Sequence, residues 1–401
     1  MSELSPPGFG RTKIDFVYFD AGGGHRSAAT ALEKVVASEG YGWDVRLVNL
    51  QEVLDPLDVF RKFTGIRLED LYNRMLAKGW TLGAGYWLPL MQWVIRRYHR
   101  PSVELLARFW SERTPDMVVS LVPNLNRAMF EGLKQWCPDV PYVGILTDLA
   151  DYPPHFWMER QDQYIICGTD RARQQAAETG MDRGRTFQVS GMILRPDFYN
   201  RPEINPREER LRLGLDPDVA TALILFGGEG SNVMHGLCER LGNSRMKLQI
   251  VAICGKNKKL KERLENLKTR NRLFVEGFTR QVPYYMAVSD FFIGKPGPGS
   301  ISEALHMGLP VVIEANAWTL PQERFNAHWV KENGYGIVLK NFKQTEDAVY
   351  ELLARGRLGE FKNRIATVNN RAIYEIPEIL SSILKKSTAV NSKPQLQHRR
   401  P

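Results

Sequence analysis

Cysteine is scarce in this chain, with only Cys137, Cys167, Cys238 and Cys254 among 401 residues. Their wide spacing excludes a zinc-ligand pattern and a disulfide framework, so a reducing cytoplasm fits better than an oxidising exterior. No apolar run is long enough to span a bilayer. Residues 1–11 lack the apolar core of a secretion signal. No nucleic-acid-binding module is recognisable, so the net charge of +9 points to an anionic lipid surface or phosphate-bearing ligand, or only to a solubilising surface. The glycine-rich turns lack the Lys-Ser/Thr ending of a P-loop, which argues against nucleoside triphosphate hydrolysis. They also lack the acidic residue that completes a dinucleotide fingerprint, which argues against NAD. The one Asp-x-Asp match, Asp216-Pro217-Asp218, precedes a strand instead of ending one, so no metal site and no cofactor is expected.

What the chain does contain is a repeated alternation of short apolar runs and helix-like segments. Strands are predicted at 15–19, 45–50, 117–121, 142–146, 164–167 and 187–189. A second series is predicted at 222–226, 248–253, 272–275, 290–293, 311–314 and 336–339. Val/Ile/Phe-rich strands separated by helices imply α/β folding, with parallel sheets covered on both faces. The rhythm breaks at the polar, proline-marked stretch 195–217, expected to be the interdomain linker. The expected organisation is an N-terminal domain over 1–195 and a C-terminal domain over 196–370. A helix over 371–386 returns to the first domain, and 387–401 forms a disordered tail.

Three turns carry the chemistry. Gly22-Gly23-Gly24-His25 joins the first strand to a helix, so backbone amides and an imidazole meet at the strand's carboxyl end. A structural turn with a capping histidine would look the same. Phe226-Gly227-Gly228-Glu229-Gly230-Ser231-Asn232 repeats the arrangement in the second half, as does Gly294-Lys295-Pro296-Gly297-Pro298-Gly299-Ser300. The turn at Gly297, Gly299 and Ser300 suits a diphosphate. Glu303, one turn into the next helix, suits vicinal ribose hydroxyls, or merely the positive end of the helix. Gln322 and Glu323 suit sugar hydroxyls.

In this order, GGGHRSA, FGGEGSN, EGF, GKPGPGSISEAL, GLPVV and PQERFNA resemble the family 28 glycosyltransferases, and their diacylglycerol-modifying branch most. That family includes monogalactosyldiacylglycerol synthases, diacylglycerol glucosyltransferases and the N-acetylglucosaminyltransferase of peptidoglycan lipid synthesis. The resemblance covers roughly residues 12–385. It implies a GT-B fold, two Rossmann-like domains facing across a cleft, with a UDP-sugar donor, a lipid acceptor and metal-independent inversion by a hexosyltransferase. It places His25 near the acceptor as base or electrostatic helper, with Gly23 and Gly24 beside it. Gly227, Gly228, Gly230, Ser231, Gly297, Gly299 and Ser300 would hold the diphosphate, Glu303 the ribose and the backbone at Phe278 the uracil. Gln322 and Glu323 would contact the sugar, supported by Asn326. Plant-type members have a histidine-proline pair just after a Thr-Asp-Leu. Here Thr147-Asp148-Leu149 is followed by Ala150-Asp151-Tyr152-Pro153-Pro154-His155, with the histidine displaced, so Asp148, Asp151 and His155 are further candidate bases.

Residues 51–110 depart from the βα rhythm. Trp80, Trp87 and Trp93 precede the basic cluster Arg96, Arg97 and Arg100, a composition that suits an anionic membrane surface, although a buried helix pair with a basic end has the same look. With the lipid acceptor, this implies a cytoplasmic protein bound peripherally to the inner face of the cell membrane. Transfer of N-acetylglucosamine to a polyprenyl-linked lipid, a UDP-sugar epimerase and a non-catalytic nucleotide-sugar-binding protein are the alternatives.

Overall fold

In a computed structural model of the chain, residues 11–20, 23–57, 95–317 and 319–391 are described. The predicted Trp80, Trp87 and Trp93 lie outside them. Among the described residues, twelve strands form two six-stranded parallel sheets. The first contains β1 (Lys13–Tyr18), β2 (Asp44–Asn49), β3 (Met117–Ser120), β4 (Tyr142–Ile145), β5 (Tyr164–Cys167) and β6 (Thr186–Gln188), in the order β2-β1-β3-β4-β5-β6. The second contains β7 (Ala220–Leu225), β8 (Leu248–Ile253), β9 (Leu273–Glu276), β10 (Phe291–Gly294), β11 (Val311–Glu314) and β12 (Gly336–Leu339), in the order β12-β11-β10-β7-β8-β9.

The near-continuous burial of β3, β4, β8 and β10 follows from helices lying on both faces. On one face of the first sheet, Ile14, Phe16, Val119 and Val143 pack with Ala29, Leu32, Val35 and Val36 of the helix Gly24–Ser38. On the other, Val17, Val118 and Tyr142 pack with the helices His99–Glu112 and Asn126–Trp136. The alternation along each strand is the period-two signature of a pleated sheet. Asp15, almost fully buried on β1, is held by both guanidinium arms of Arg46 at 2.8 and 2.5 Å and by the Trp110 indole at 3.0 Å.

In each sheet the chain reverses its winding direction once, between β1 and β3 in the first and between β7 and β10 in the second. Open α/β sheets bind ligands in the crevice outside the carboxyl ends of the strands at such a point. The glycine turns after β1, β7 and β10 sit at these crevices.

The stretch 195–217 is more ordered than its polarity suggests. Asn205 caps the helix Pro206–Arg212, and Arg210 binds the Val288 carbonyl and the Asp290 carboxylate, which fastens the connection to the second domain. The final helix, Ala372–Asn391, buries Ile373, Ile376, Leu380 and Ile383 in the first domain's core. It runs to Asn391, past the expected end at residue 386, so residues 387–391 of the predicted tail are helical; residues 392–401 lie outside the described residues. The chain crosses between domains twice at one place. There Asn370 donates to the Met192 carbonyl at 2.8 Å, and the Ser190 hydroxyl and amide bond Arg371 and Glu375.

Candidate functional site

On the first domain the site is built at the β1/β3 crevice. Gly23 takes a left-handed φ of 77°, which lets the chain turn from β1 straight into the helix Gly24–Ser38. His25 therefore lies in the helix's first turn, where the sequence suggested a loop ahead of it. Thr147, just past β4, meets His25 Nδ1 at 2.9 Å, and a ring N–H points to the Leu121 carbonyl. The ring also leans on Trp157, with centroids 5.8 Å apart. Burial pushes the His25 pKa down to about 4, so the imidazole is neutral at pH 7 but only weakly basic.

Asp148 is buried next to Thr147, and its Oδ2 accepts the Trp157 indole N–H at 2.9 Å. Among the described residues nothing hydrogen-bonds its Oδ1. Burial, with the charge of Glu323 from the second domain, pushes its pKa up to about 6. Asp148 is thus ionised at pH 7 and is a stronger base than His25. Asp151 is occupied differently. Its two carboxylate oxygens accept the His155 and Trp157 amides at 3.0 and 2.6 Å, and its backbone pairs with the Gln175 side chain, so it organises the loop. His155 is exposed, and its ring faces the Met158 carbonyl of its own loop. Of the four predicted bases, the structure brings His25 and Asp148 together through Thr147 and Trp157.

On the second domain the turns after β7 and β10 lie side by side. The helix Pro298–His306 makes its first internal bond from the Ile301 amide to the Gly297 carbonyl. The Gly299 and Ser300 amides therefore have no partner in the helix and can bind an anion. Gly228 and Gly299 are open, with nothing within 4 Å of an added Cβ, whereas Gly230 is needed for packing. A Cβ there would lie 2.3 Å from the Cys254 carbonyl oxygen, so Gly230 serves the turn itself and not a ligand. Ser231 Oγ accepts the Val233 amide, the first of the next helix. Phe278 is 59 % exposed at the end of the β9 turn, with its ring open to a ligand.

Glu303 is half-buried beside Arg195 and Asp197 of the connection, and burial raises its pKa to about 7. Glu323, in the first turn of the helix Pro321–Asn333, lies 3.7 Å from Lys295 Nζ, and Gln322 precedes it. Asn326 does not support Gln322 or Glu323, as the resemblance implied. It is fully buried, and its amide donates to the Pro296 carbonyl at 2.9 Å, which fixes the β10 turn. Tyr152 and Phe325 meet across the cleft with ring centroids 5.4 Å apart. Arg96, Arg97 and Arg100 are exposed on the first domain.

Three contributors escaped the sequence reading. Thr147 and Trp157 depend on contacts between distant loops, with no local signal for them. Lys295 had a signal, as the cation directly after β10 at the head of a glycine turn.

Residues 224–375 match the Glycosyltransferase family 28 C-terminal domain. The chain is 27 % identical over 377 residues to monogalactosyldiacylglycerol synthase 3 of Arabidopsis thaliana, covering 88 % of this chain and 77 % of that one. It is 29 % identical over 344 residues to a probable monogalactosyldiacylglycerol synthase 2 of Oryza sativa subsp. japonica, covering 80 % and 69 %. Among solved structures it resembles Acinetobacter baumannii MurG, with a TM-score of 0.61, 12 % identity and coverage of 92 % and 99 %. It also resembles S. aureus MnaA solved with UDP, with a TM-score of 0.60, 16 % identity and coverage of 96 % and 99 %. The two parallel sheets and these likenesses make the fold GT-B.

Proposed function

We propose that this chain, whose residues 224–375 carry the family 28 glycosyltransferase C-terminal domain, transfers a hexose from a UDP-sugar to a membrane lipid such as diacylglycerol. The observation that carries the proposal is the meeting of the two crevices: Asp148 of one domain feels the charge of Glu323 of the other, and Tyr152 meets Phe325 beside them. The galactolipid synthases among its relatives support the lipid acceptor.

The chemistry follows from the groups present. The acceptor hydroxyl oxygen bonds to the anomeric carbon from the first-domain side, and its proton passes to Asp148. Neutral His25, held by Thr147 and the Leu121 carbonyl, lines the acceptor's approach beside Asp148. The bond from the anomeric carbon to the phosphate oxygen breaks, and its electron pair leaves with UDP. Attack opposite the leaving group inverts the anomeric centre. The free amides of Gly299 and Ser300 receive the developing phosphate charge, so no metal ion is required. Glu303 accepts from the ribose hydroxyls, Gln322 and Glu323 from the sugar, and Phe278 lies against the uracil.

The acceptor lies at a lipid surface, so the protein docks there. Among the described residues no helix is long and apolar enough to cross a membrane. Arg96, Arg97 and Arg100 supply cations for docking at an anionic inner face of the cell membrane.

A likeness in fold to a UDP-GlcNAc 2-epimerase of Neisseria meningitidis keeps a UDP-sugar epimerase as the second reading. Release of UDP separates the two. A transferase releases UDP from UDP-galactose or UDP-glucose only when diacylglycerol vesicles are present. UDP release that is indifferent to lipid, or sugar interconversion without it, refutes the lipid transferase.

A further inference from the structure

We propose that Lys295 is a catalytic residue that exchanges partners when donor binds, leaving Glu323 for the sugar-bearing phosphate of the nucleotide diphosphate. The proposal rests on the nucleotide-sugar reading of this site and adds a residue that the family motifs do not assign.

Lys295 is the first residue after β10, at the point where the second sheet reverses direction. Its stem lies over both glycine turns. The Cε is 3.7 Å from where a Cβ on Gly227 would sit and 3.5 Å from where one on Gly297 would sit. The lysine stem thus stands between two turns that are each open beside it, with nothing within 4 Å of a Cβ added at Gly228 or at Gly299. It is 44 % exposed and can move, while Glu323 is only 12 % exposed and is fixed in a helix. At 3.7 Å the pair is longer than a hydrogen-bonded ion pair, which leaves the ammonium available to a stronger acceptor.

The donor's diphosphate, with one charge on each of its two phosphates and non-bridging oxygens on both, outcompetes one carboxylate between those turns. Moving Lys295 to it has two effects. Negative charge appearing on the leaving diphosphate as the sugar–oxygen bond breaks meets a cation already in place. Glu323, freed of its partner, accepts hydrogen bonds from the sugar hydroxyls and faces Asp148 with its full charge, which favours proton uptake by Asp148 from the acceptor. Donor binding in the second domain thereby sharpens the base in the first. Atoms and charge balance without a further reactant: the acceptor loses a proton to Asp148, and UDP leaves with the electron pair of the broken bond.

Calorimetric titration of the full chain with UDP and with UMP tests this. In the wild type UDP binds more tightly than UMP. Lys295→Met weakens UDP by about 10–100-fold, the usual size of a charge-assisted contact, and changes UMP by no more than about threefold. Lys295→Arg restores part of the UDP preference. Glu323→Gln, which removes the competitor for the ammonium, tightens UDP by about 2–5-fold while lowering sugar transfer. UDP and UMP weakening in parallel in Lys295→Met, or no gain in UDP affinity in Glu323→Gln, overturns the exchange. A wild type that binds neither nucleotide overturns the nucleotide-sugar reading beneath it.

Discussion

Asp148 and His25 lie close together, and burial acts on them in opposite directions. It discourages the charged form of each, which lowers the histidine to about 4 and raises the aspartate to about 6. Turnover should therefore rise with pH through about 6 and level off above it, as a pH–rate profile would record. The folded pKa of Asp148 lies above its ordinary 3.8, so this residue's contribution to stability is full at low pH and is lost as pH rises from about 4 to about 6. Asp148→Asn keeps an acceptor for the Trp157 indole and removes the buried charge. It should abolish most turnover yet raise stability at pH 8 by about 1–3 kcal/mol in denaturant unfolding. Lower stability at pH 8 would contradict the buried, ionised base. Glu303 gives a second pH signature. Ribose hydroxyls bind its ionised form, so UDP affinity should rise as pH passes about 7, and Glu303→Ala should remove that rise and cost about 1–3 kcal/mol in calorimetry. At this scale the sequence exposed His25, Asp148 and Glu303, because each follows a strand or opens a helix at a crevice. It could not expose Thr147 or Trp157, whose partners lie 122 and 9 residues away. Nor could it show that Asp151 is committed to two backbone amides.

The glycine turns separate folding from binding at the scale of single elements. Gly230 has a φ of 67° and no room for a Cβ against Cys254, whereas Gly228 has open space. Gly230→Ala should lower stability by about 1–3 kcal/mol. Gly228→Ala should leave the melting temperature within error and weaken UDP, because its methyl group fills the space a phosphate needs. Equal losses of stability in both variants, measured by thermal melting alongside UDP titration, would remove Gly228 from the binding surface. All twelve strands were legible, since buried parallel strands are short apolar runs bounded by polar turns. The helix Pro206–Arg212 was not, because the residues it turns inward, Glu209 and Arg210, are charged, and a seven-residue helix gives too few turns for a periodic pattern. The length of the final helix was also underestimated, because Ser387 and Thr388 look like tail residues but do not break a helix.

At the scale of the molecule, two six-stranded sheets each reverse direction once, and the chain crosses between the domains twice near residues 190 and 371. Alternation of strands and helices made this architecture legible early. The relative placement of Asp148, Glu323, Tyr152 and Phe325 depends on how the domains close, and no local pattern encodes it. The central claim is hexosyl transfer to lipid without a metal. Its most direct measurement is mass spectrometry of the lipid fraction after the protein is incubated with UDP-galactose or UDP-glucose and diacylglycerol vesicles in excess EDTA. The account predicts a hexosyl-diacylglycerol that forms in EDTA at the untreated rate and disappears in Asp148→Asn. No glycolipid from either donor, or a product that vanishes in EDTA and returns with Mg²⁺ or Mn²⁺, would contradict it.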